Sequence, residues 1–383
     1  MKTAAVVAEY NPFHCGHRYQ LEKTREAGAT HIVAVMSGNF VQRGEAAIFD
    51  KFTRANAAVK CGADLVVELP LPWAMSTAQN FARGAISLAG ALGCVDMLSF
   101  GSECEDVAAL ERVAQTVYSA EFESKLTELL PGCVSYAAAR EKAVEALVGE
   151  KLASLLSNPN SILAVEYIAA AKKFGFDFEF NAVRRSGDGY NCAVASGDGY
   201  ASASAIRRLI VSGSDYSSYV PVAYPSDFAD ASKLDTAVLY ALRKMTAAEI
   251  ALAPDISEGL ENRIFEAVKS SCSFDELVEN IKTKRYPTAR IRRIIMSLLL
   301  GIKAEHSRGL PPYIRILACN EKGKEILSAA ESALPVVARA SQFRQLEGVA
   351  KDMFNLECTA DDIYALCFSP AMECGADYKV KVF

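Results

Sequence analysis

The fold is decided by one stretch near the start of the chain, Thr3-Ala4-Ala5-Val6-Val7-Ala8-Glu9-Tyr10-Asn11-Pro12-Phe13-His14-Cys15-Gly16-His17. Its first part, Thr3–Ala8, is a short apolar run that is typical of a buried parallel strand. Its last part opens a segment of helical period over Gly16–Ala27. The stretch therefore predicts a strand, a turn and a helix, with the polar turn at the carboxyl end of the strand.

The same alternation continues over the first two hundred residues. Further buried strands are predicted at His31–Met36, Asp64–Leu69, Val95–Phe100 and Phe178–Val183. Further helices are predicted at Phe52–Cys61, Thr77–Leu92 and Ser161–Lys173. Strand and helix repeating at about 30 residues indicates βαβ units in a doubly wound sheet. We therefore predict an α/β fold with a Rossmann-like domain built on a parallel sheet.

Beyond Pro221 the strand-like runs become scarce. Helical spacing covers Lys233–Lys244, Ala247–Leu252, Gly259–Ser270, Phe274–Lys282, Ala289–Lys303 and Lys322–Ala333. We therefore expect a catalytic α/β domain over residues 1–218 and a mainly α-helical region over residues 219–383. The pentapeptide Ser-Gly-Asp-Gly-Tyr occurs at 186–190 and again at 196–200, which predicts a Gly-rich loop and not a repeat array.

Composition narrows the class of protein. The chain has 383 residues, of which 51% are apolar and 23% charged, as in ordinary globular proteins. The longest apolar run, near Ile294, is far shorter than the roughly 20 residues of a membrane span. Eleven cysteines without a CxxC pair indicate free thiols and no zinc or other protein-held metal site. We expect a cytoplasmic protein that does not contact a membrane.

The turn after the first strand carries the sequence His14-Cys15-Gly16-His17. Ligands of open α/β sheets bind beyond the carboxyl ends of the strands, and the N–H groups of a helix start attract phosphate. Two imidazoles at this place can donate to phosphate oxygens and offset the charge that develops as pyrophosphate leaves. The alternative is that both histidines only cap the helix. The arrangement resembles the nucleotidyltransferases that cleave ATP between its α- and β-phosphates.

A second polar element, Ala201-Ser202-Ala203-Ser204-Ala205-Ile206-Arg207, resembles the Ser/Thr-rich turn of the same superfamily. Ser202 or Ser204 can cap the helix, while Arg207 offers a two-pronged guanidinium to phosphate. Gly101, after the fourth strand, leaves room for a base or ribose, and Asn160 carries an amide donor and acceptor for adenine or a ribose hydroxyl.

Together these segments resemble the bacterial tRNA(Met) cytidine acetate ligases over nearly the whole chain. The matching residues also include Ser37-Gly38, Gln42-Arg43-Gly44-Glu45, Asp64–Pro70, Phe81–Gly84, Phe100–Glu103, Asn158–Asn160, Lys282–Tyr286 and Pro312–Arg315. The resemblance implies a ligase that uses ATP and acetate to form N4-acetylcytidine at the wobble position of elongator tRNA(Met), with AMP and pyrophosphate as products.

The resemblance also implies which residues form the site. The implied ATP contacts are Val7, Ala8, Glu9, Tyr10, Asn11, Pro12, Phe13, His14, Cys15, Gly16, His17, Arg18, Tyr19, Gln20, Gly101, Asn160, Arg185 and Ser204. The choice between Arg184 and Arg185 stays open, because Asn191 stands where the family has His. His14, His17 and Arg207 are the expected catalytic residues, no protein nucleophile is needed, and Mg²⁺ is expected to be held mainly by the phosphates.

The net charge of −5 argues against a nucleic-acid partner only as an average. Between Arg263 and Arg315 there are eleven Lys or Arg and five Asp or Glu, a local excess of six positive charges. We expect this region to bind tRNA, with Tyr286 placed to stack on a base. The candidate residues are Lys282, Lys284, Arg285, Tyr286, Arg290, Arg292 and Arg293. The alternatives are an adenylyltransferase or acid–amine ligase for a small metabolite, and a non-catalytic tRNA-binding protein; no obligate protein partner is expected.

Overall fold

The computed structural model describes residues 1–184, 201–257, 259–283 and 286–379. Our predictions for Arg185, Lys284, Arg285 and the two pentapeptide copies lie outside these ranges. The described strands are β1 (Thr3–Ala8), β2 (His31–Ser37), β3 (Phe40–Val41), β4 (Glu45–Ala46), β5 (Leu65–Leu69), β6 (Met97–Ser102), β7 (Glu179–Arg184), β8 (Ile314–Cys319) and β9 (Val336–Val337).

The described helices form three groups along the chain. The first group is α1 (Cys15–Glu26), α2 (Lys51–Lys60), α3 (Leu71–Ala74) and α4 (Ala78–Ala91). The second is α5 (Val107–Val117), α6 (Ala120–Leu129), α7 (Tyr136–Val148), α8 (Glu150–Ala153), α9 (Pro159–Phe174) and α10 (Ala203–Val211). The third is α11 (Asp235–Arg243), α12 (Ala247–Ile250), α13 (Leu260–Ser270), α14 (Phe274–Ile281), α15 (Thr288–Leu299), α16 (Glu321–Ala329), α17 (Ala340–Phe343), α18 (Gly348–Tyr364) and α19 (Ala376–Lys379).

Seven strands form one sheet in the order β7-β6-β1-β2-β5-β8-β9. The pairs among β7, β6, β1, β2 and β5 are all parallel, whereas β8 is antiparallel to β5. The predicted α/β fold with a mainly parallel, Rossmann-like sheet is confirmed. The chain order of β1 and its neighbours brings the carboxyl ends of β1, β6 and β7 to one edge, where a pocket opens.

The strands of the sheet are apolar because helices cover both faces. All seven residues of β2 and all five of β5 are buried, as expected for parallel strands with two covered faces. One core cluster joins β2, β5 and β6 to α4 and α9, and another joins β1 and β2 to α1 and α2. All five strands that we predicted up to residue 183 are present, with ends shifted by at most two residues.

The antiparallel strand β8 was not predicted, although Pro312–Arg315 was noted as a motif. Its partner β5 lies about 250 residues earlier in the chain, and no local pattern carries such a pairing. The helices α5 to α8 between β6 and α9 were also missed, although Leu110, Val113 and Val117 give α5 a clear apolar side. The predicted helix Ala289–Lys303 ends earlier, at Leu299, where Gly301 takes a left-handed φ of +70°.

The third group of helices has a core of its own. α11, α13, α14 and α15 pack their apolar sides together through residues such as Leu242, Ile264, Leu277 and Ile294. Phe40 of β3 and Leu71 of α3 belong to the same cluster, so this core is continuous with the first part of the chain. The division at residue 218 stays a prediction, and β8 and β9, which come after it in the chain, belong to the same sheet as β1 to β7 apart from the β3–β4 hairpin. None of the helices in the described ranges has the length and apolarity of a membrane span.

Candidate active site

A pocket lies at the carboxyl ends of β1, β6 and β7. Its wall combines the β1–α1 turn, the β3–β4 hairpin, the end of β6, the start of α9 and the start of α10. The lining residues are Val7, Ala8, Glu9, Tyr10, Asn11, His14, Gly16, His17, Tyr19, Gln20, Val41, Gln42, Arg43, Glu45, Phe81, Phe100, Gly101, Glu103, Asn160, Leu163, Tyr167, Val183, Arg184, Ala201, Ser202, Ala203, Ser204 and Arg207. The predicted strand-end location of the site is thus where the structure has its pocket.

His14 and His17 form the cap of helix α1. The Nδ1 atom of His14 accepts a hydrogen bond from the Gly16 N–H (3.1 Å), and Nδ1 of His17 accepts one from the His14 N–H (3.2 Å). The two rings stack at 3.7 Å between centroids. An Nδ1 atom that accepts a hydrogen bond carries no proton, so each neutral ring carries its proton on Nε2. The structure thus shows the capping role of both histidines, and their binding of a ligand stays a prediction.

Arg207 connects helix α10 to the β1–α1 turn. Its Nη1 donates to the carbonyl oxygen of Asn11 (2.8 Å), and its Nη2 donates to the hydroxyl of Ser204 (3.2 Å). Ser202 caps α10 by accepting from the Ala205 N–H, and the first turn of this helix lines the pocket. Ile206 and Ile210 hold α10 against Ile48 and Phe49. The two polar motifs, about 190 residues apart, are therefore in direct contact.

Asn160 and Glu103 form a fixed polar pair on the opposite wall. The Asn160 Nδ2 donates to Glu103 Oε1 (2.6 Å), while the Ser161 N–H and hydroxyl both donate to Oε2 (2.9 Å each). Burial alone would raise the pKa of Glu103, but these hydrogen bonds outweigh it and lower the pKa. Glu103 therefore stays ionised and fixes which side of the Asn160 amide is the donor.

Two more carboxylates, Glu9 and Glu45, line the pocket near the β3–β4 hairpin. Glu45 lies between two guanidinium groups, 3.5 Å from Arg207 Nη2 and 3.8 Å from Arg292 Nε. Glu9 Oε1 accepts a hydrogen bond from the Gln42 N–H (2.9 Å) and thereby ties the hairpin to the end of β1. Burial raises the pKa of Glu9, and the Gln42 hydrogen bond and the charges of Arg207 and Arg43 offset only part of that rise.

The structure brings most of the predicted ATP-binding residues together, but not all of them. Pro12, Phe13, Cys15 and Arg18 do not line the pocket. Phe13 is buried in the core under α1, and the Cys15 thiol points toward the Ser218 carbonyl oxygen at 3.9 Å. These four residues shape the turn and the helix start without facing the pocket. Arg184 lines the pocket, whereas Arg185 lies outside the described residues, so the choice between them stays open.

Sequence reasoning missed part of the pocket wall. Gln42, Arg43 and Glu45 were noted only as part of a segment that resembles the family, and none was taken as a site residue. Phe81, Leu163 and Tyr167 come from the inner faces of α4 and α9. Their apolar spacing is the same as that of any core helix, so the sequence contains no signal that separates a pocket wall from a core position.

The basic candidates for tRNA contact lie on and beside α15, and several have acidic partners. Arg290 donates to the Asp255 carbonyl oxygen and the Ser257 hydroxyl (2.7 Å each), and Arg293 pairs with the Asp255 carboxylate at 3.1 Å. Arg292 pairs with Asp275 at 2.9 Å. Lys282 pairs with Glu279, and its side chain is 45% exposed.

Tyr286 is not placed as we expected. Only 8% of it is exposed, and the Arg290 guanidinium lies over its ring at 5.3 Å. Its apolar ring completes the core of the helical group, so the expected stacking of Tyr286 on a base is wrong for this conformation. Arg315, which contributed to the positive count, is also buried. The number of exposed Lys and Arg residues is therefore smaller than the number counted from the sequence between Arg263 and Arg315.

Comparisons with known proteins agree with this geometry. The family model described as HIGH Nucleotidyl Transferase matches residues 1–377. The tRNA(Met) cytidine acetate ligase of Acetivibrio thermocellus is 36% identical over 397 residues, which cover 96% of this chain and 95% of the relative. The protein of the same name from Thermoanaerobacter sp. is 36% identical and covers 99% of this chain and 98% of the relative.

Solved structures show the same similarity. The crystal structure of Thermotoga maritima TmcAL in its apo form superposes with a TM-score of 0.91 at 31% identity, over 100% of this chain and 99% of the other. A second form of the same protein, bound with alpha-thio ATP, superposes with a TM-score of 0.89 at 31% identity. The fold described here is thus that of a protein crystallised with an ATP analogue.

Proposed function

This chain belongs to the HIGH nucleotidyl transferase family and, within it, to the tRNA(Met) cytidine acetate ligases, and on that premise we propose that it acetylates tRNA. It activates acetate with ATP and transfers the acetyl group to N4 of the wobble cytidine of elongator tRNA(Met). The observation that carries the proposal is the contact between the two polar motifs, in which Arg207 and the histidine-capped start of α1 face one pocket.

In the first step, an acetate oxygen attacks the α-phosphorus of ATP, and pyrophosphate leaves with the electron pair of the broken P–O bond. Negative charge grows on the phosphate oxygens, so fixed donors at short range are the main requirement. The Nε2–H groups of His14 and His17, the guanidinium of Arg207 and the N–H groups at the start of α1 are these donors. Because the cap fixes each histidine tautomer, the donors need no reorientation during the reaction.

Adenosine is held on the wall of the pocket opposite Arg207. Gly101 offers a surface without a side chain at the end of β6, and the Asn160 amide is oriented by Glu103 at 2.6 Å. An amide that is already held in one orientation binds the edge of a base or a ribose hydroxyl more tightly than a freely rotating amide. The reason is that no side-chain rotamer entropy is lost on binding. Phe100 and Tyr167 line the same wall and supply apolar contact.

Mg²⁺ accompanies ATP in this proposal. Among the described residues, no group of three His, Cys, Asp or Glu side chains is arranged to hold a metal ion. Glu103 is already engaged by Asn160 and Ser161, and Glu45 faces two arginines. We therefore assign the ion to the phosphates of ATP, where it would neutralise part of their charge, and assign no protein ligand to it.

The tRNA reaches the pocket along α15. Gly44, at the tip of the β3–β4 hairpin, lies against the backbone of Arg292 and Arg293, where a Cβ atom would be 2.5 Å from the Arg293 nitrogen. The basic helix thus begins beside the pocket. Lys282, Lys284 and Arg285 precede it, and Arg290, Arg292 and Arg293 exchange their intramolecular partners for phosphates when the tRNA binds.

Two assays on the purified protein test the proposal. The first is acetate-dependent exchange of labelled pyrophosphate into ATP, which reports acetyl-adenylate formation without tRNA. The second is transfer of labelled acetate to tRNA(Met), compared with a tRNA whose wobble base is not cytidine. We expect both activities, with label in tRNA(Met) only. Exchange without transfer would support a ligase or adenylyltransferase for a small metabolite, and tRNA binding without either activity would support a non-catalytic role.

A further inference from the structure

The acetyl transfer step needs a group that takes a proton. The N4 nitrogen of cytidine attacks the carbonyl carbon of acetyl-adenylate, the new N–C bond forms, and the bond between that carbon and the AMP oxygen breaks, its electron pair leaving with AMP. The attacking nitrogen becomes positively charged and must lose one proton. A side chain that accepts a proton in the transition state of such a step contributes about 100-fold to 10,000-fold to its rate.

Three carboxylates line the described wall of the pocket: Glu9, Glu45 and Glu103. A pocket that binds ATP and acetate is an unfavourable place for a negative side chain, because the substrates carry the same sign of charge. The presence of each of these carboxylates in the pocket therefore needs an explanation. For Glu45 and Glu103 the contacts supply one, since Glu45 balances Arg207 and Arg292, and Glu103 orients Asn160 and caps the Ser161 N–H.

Glu9 differs from the other two in its surroundings. In the part of the chain that the structure describes, no Lys, Arg or His nitrogen lies within ion-pair distance of its carboxylate, and only Oε1 accepts a hydrogen bond, from the Gln42 N–H at 2.9 Å. Glu9 lines the pocket, and its Oε2 accepts no hydrogen bond from the described residues. The residue sits at the carboxyl end of β1, between the histidine cap and the β3–β4 hairpin, which is also the side on which α15 approaches.

We propose that Glu9 is the proton acceptor of the acetyl transfer step, taking the proton of the cytidine N4 amine on Oε2. The assignment rests on the proposed function of the chain and adds a catalytic residue to it. The Gln42 hydrogen bond holds the carboxylate in place, and after transfer the proton passes to solvent through the pocket mouth. His14 and His17 are unsuited to this task, because Nδ1 is used in the cap and Nε2 already carries a proton.

The charges around Glu9 agree with this role. Arg207 and Arg43 act on it from α10 and from the hairpin, Glu45 acts from β4, and the Arg54 guanidinium on α2 donates to its main-chain oxygen at 2.5 Å. Burial outweighs the two arginines that act on its carboxylate and raises the pKa of Glu9 above its ordinary value. A carboxylate with a raised pKa binds a proton more strongly and is a better base as long as it is ionised at the working pH. The ionised form dominates above the pKa, so the transfer rate rises with pH through it.

The test is the variant Glu9→Gln, which has the same shape and still accepts the Gln42 hydrogen bond through its amide oxygen. Single-turnover transfer from preformed acetyl-adenylate to tRNA(Met) is measured from about pH 5 to about pH 8, beside pyrophosphate exchange. We expect the transfer rate to fall about 100-fold more than the exchange rate, and the rise of the transfer rate with pH to disappear.

Two companion variants keep the result interpretable. Glu9→Asp retains a carboxylate one methylene shorter, so we expect slower transfer that still rises with pH. Glu45→Gln removes a different carboxylate from the same pocket and should keep the pH-dependent rise. Equal losses of exchange and transfer in Glu9→Gln, or a pH profile like that of the wild type, would overturn the assignment of Glu9. Absence of transfer in the wild-type protein would instead overturn the proposed function itself.

Discussion

The His14 ring occupies the space beside Gly16, where a side chain at position 16 would lie. A Cβ atom at this position would lie 2.9 Å from Cε1 and 3.1 Å from Nδ1 of His14. We predict that Gly16→Ala pushes the His14 ring off the start of α1 and removes its hydrogen bond from residue 16. The loss of the cap costs about 1 kcal/mol of unfolding free energy. We expect pyrophosphate exchange to fall about 100-fold, since the proposed donor to the phosphate oxygens is displaced.

Urea unfolding and the exchange assay measure both effects. Gly132→Ala is the matched control, because a Cβ atom there meets nothing within 4 Å, and we expect neither quantity to change. Wild-type exchange by Gly16→Ala would show that the position of the His14 ring is not important for the reaction.

Arg207 uses its two terminal nitrogens for different partners, the Asn11 carbonyl oxygen and the Ser204 hydroxyl. Arg207→Lys keeps the charge but replaces the planar two-pronged group with a single ammonium. We predict that pyrophosphate exchange falls about 100-fold while the urea midpoint changes little. Arg208→Lys, at an exposed position on the same helix, is the control and should exchange at the wild-type rate. Unchanged exchange in Arg207→Lys would mean that only the positive charge is required.

At the scale of elements, a buried ionic cluster joins the last helices to the sheet. Lys51 on α2 contacts Glu68 on β5 at 2.9 Å, Asp361 on α18 at 2.5 Å and Asp377 on α19 at 3.1 Å. Arg315 on β8 pairs with Glu68 at 3.1 Å and also with Asp377. The acidic partners together outweigh burial and raise the pKa of Lys51, so it stays charged in the folded protein.

We predict that Lys51→Met destabilises the protein by about 3–5 kcal/mol, because it leaves buried carboxylates without their cation. The urea midpoint of unfolding is the measurement. Lys60→Met, at an exposed position at the end of the same helix, is the control and should change stability by less than about 0.5 kcal/mol. A Lys51→Met protein as stable as the control would show that the cluster does not hold the terminal helices.

Glu357 on α18 gives this cluster a pH dependence. Burial, reinforced by the charge of Glu68, raises its pKa well above the ordinary value, and Lys51 and the Leu71 N–H offset only part of this. The folded state therefore prefers the protonated carboxyl. Its contribution to stability is fully present below the unfolded pKa of about 4.5 and is lost as the pH rises through the raised pKa of the folded state.

Glu357→Gln imitates the protonated form, and its amide oxygen still accepts from the Leu71 N–H. We predict that the urea midpoint of the variant falls less than that of the wild type as the pH rises from about 5 to about 8. The variant is therefore expected to be the more stable protein at about pH 8. Glu347→Gln, at an exposed position before α18, should follow the wild type. Parallel curves for Glu357→Gln and the wild type would contradict a protonated Glu357.

The elements that the sequence predicted well are those with a local signal. β1, β2 and α1 follow directly from an apolar run, a turn and a helical period, and the position of His14 and His17 in the pocket follows from their place after β1. β8 and the buried charges could not be predicted in this way. Arg315 and Lys51 are charged residues that are typically exposed, and they become core residues only because partners from distant parts of the chain surround them. Tyr286 shows the same limit, because it was expected to be exposed for stacking on a base and is buried instead.

At the scale of the whole molecule, the β3–β4 hairpin joins the pocket to the basic helices. Glu9 holds one side of it, Gly44 rests on the backbone of α15, and Glu45 lies between Arg207 and Arg292. Contact of tRNA phosphates with Arg292 would draw this guanidinium away from Glu45 and Asp275. The pocket and the proposed tRNA face are therefore adjacent, and the Glu45 carboxylate contacts a guanidinium of each.

We predict that replacing Lys282, Lys284 and Arg285 together by Ala weakens tRNA binding more than pyrophosphate exchange. Each phosphate contact that is lost lowers the slope of log affinity against log salt concentration by about 0.7 to 0.9. Fluorescence titration of labelled tRNA(Met) at several salt concentrations gives this slope. Replacing Lys322 and Lys324 on α16 by Ala removes two positive charges elsewhere and should leave the slope unchanged. A wild-type slope in the triple variant would show that these three residues do not contact tRNA phosphates.

We propose that this chain places an acetyl group on the wobble cytidine of tRNA(Met). The most direct measurement is mass spectrometry of the anticodon fragment of tRNA(Met) after incubation with the protein, ATP and isotope-labelled acetate. We expect labelled N4-acetylcytidine at the wobble position, dependent on ATP, and its loss in the double variant His14→Ala/His17→Ala. An unmodified wobble cytidine with folded wild-type protein, or acetylation that survives the loss of both histidines, would contradict it.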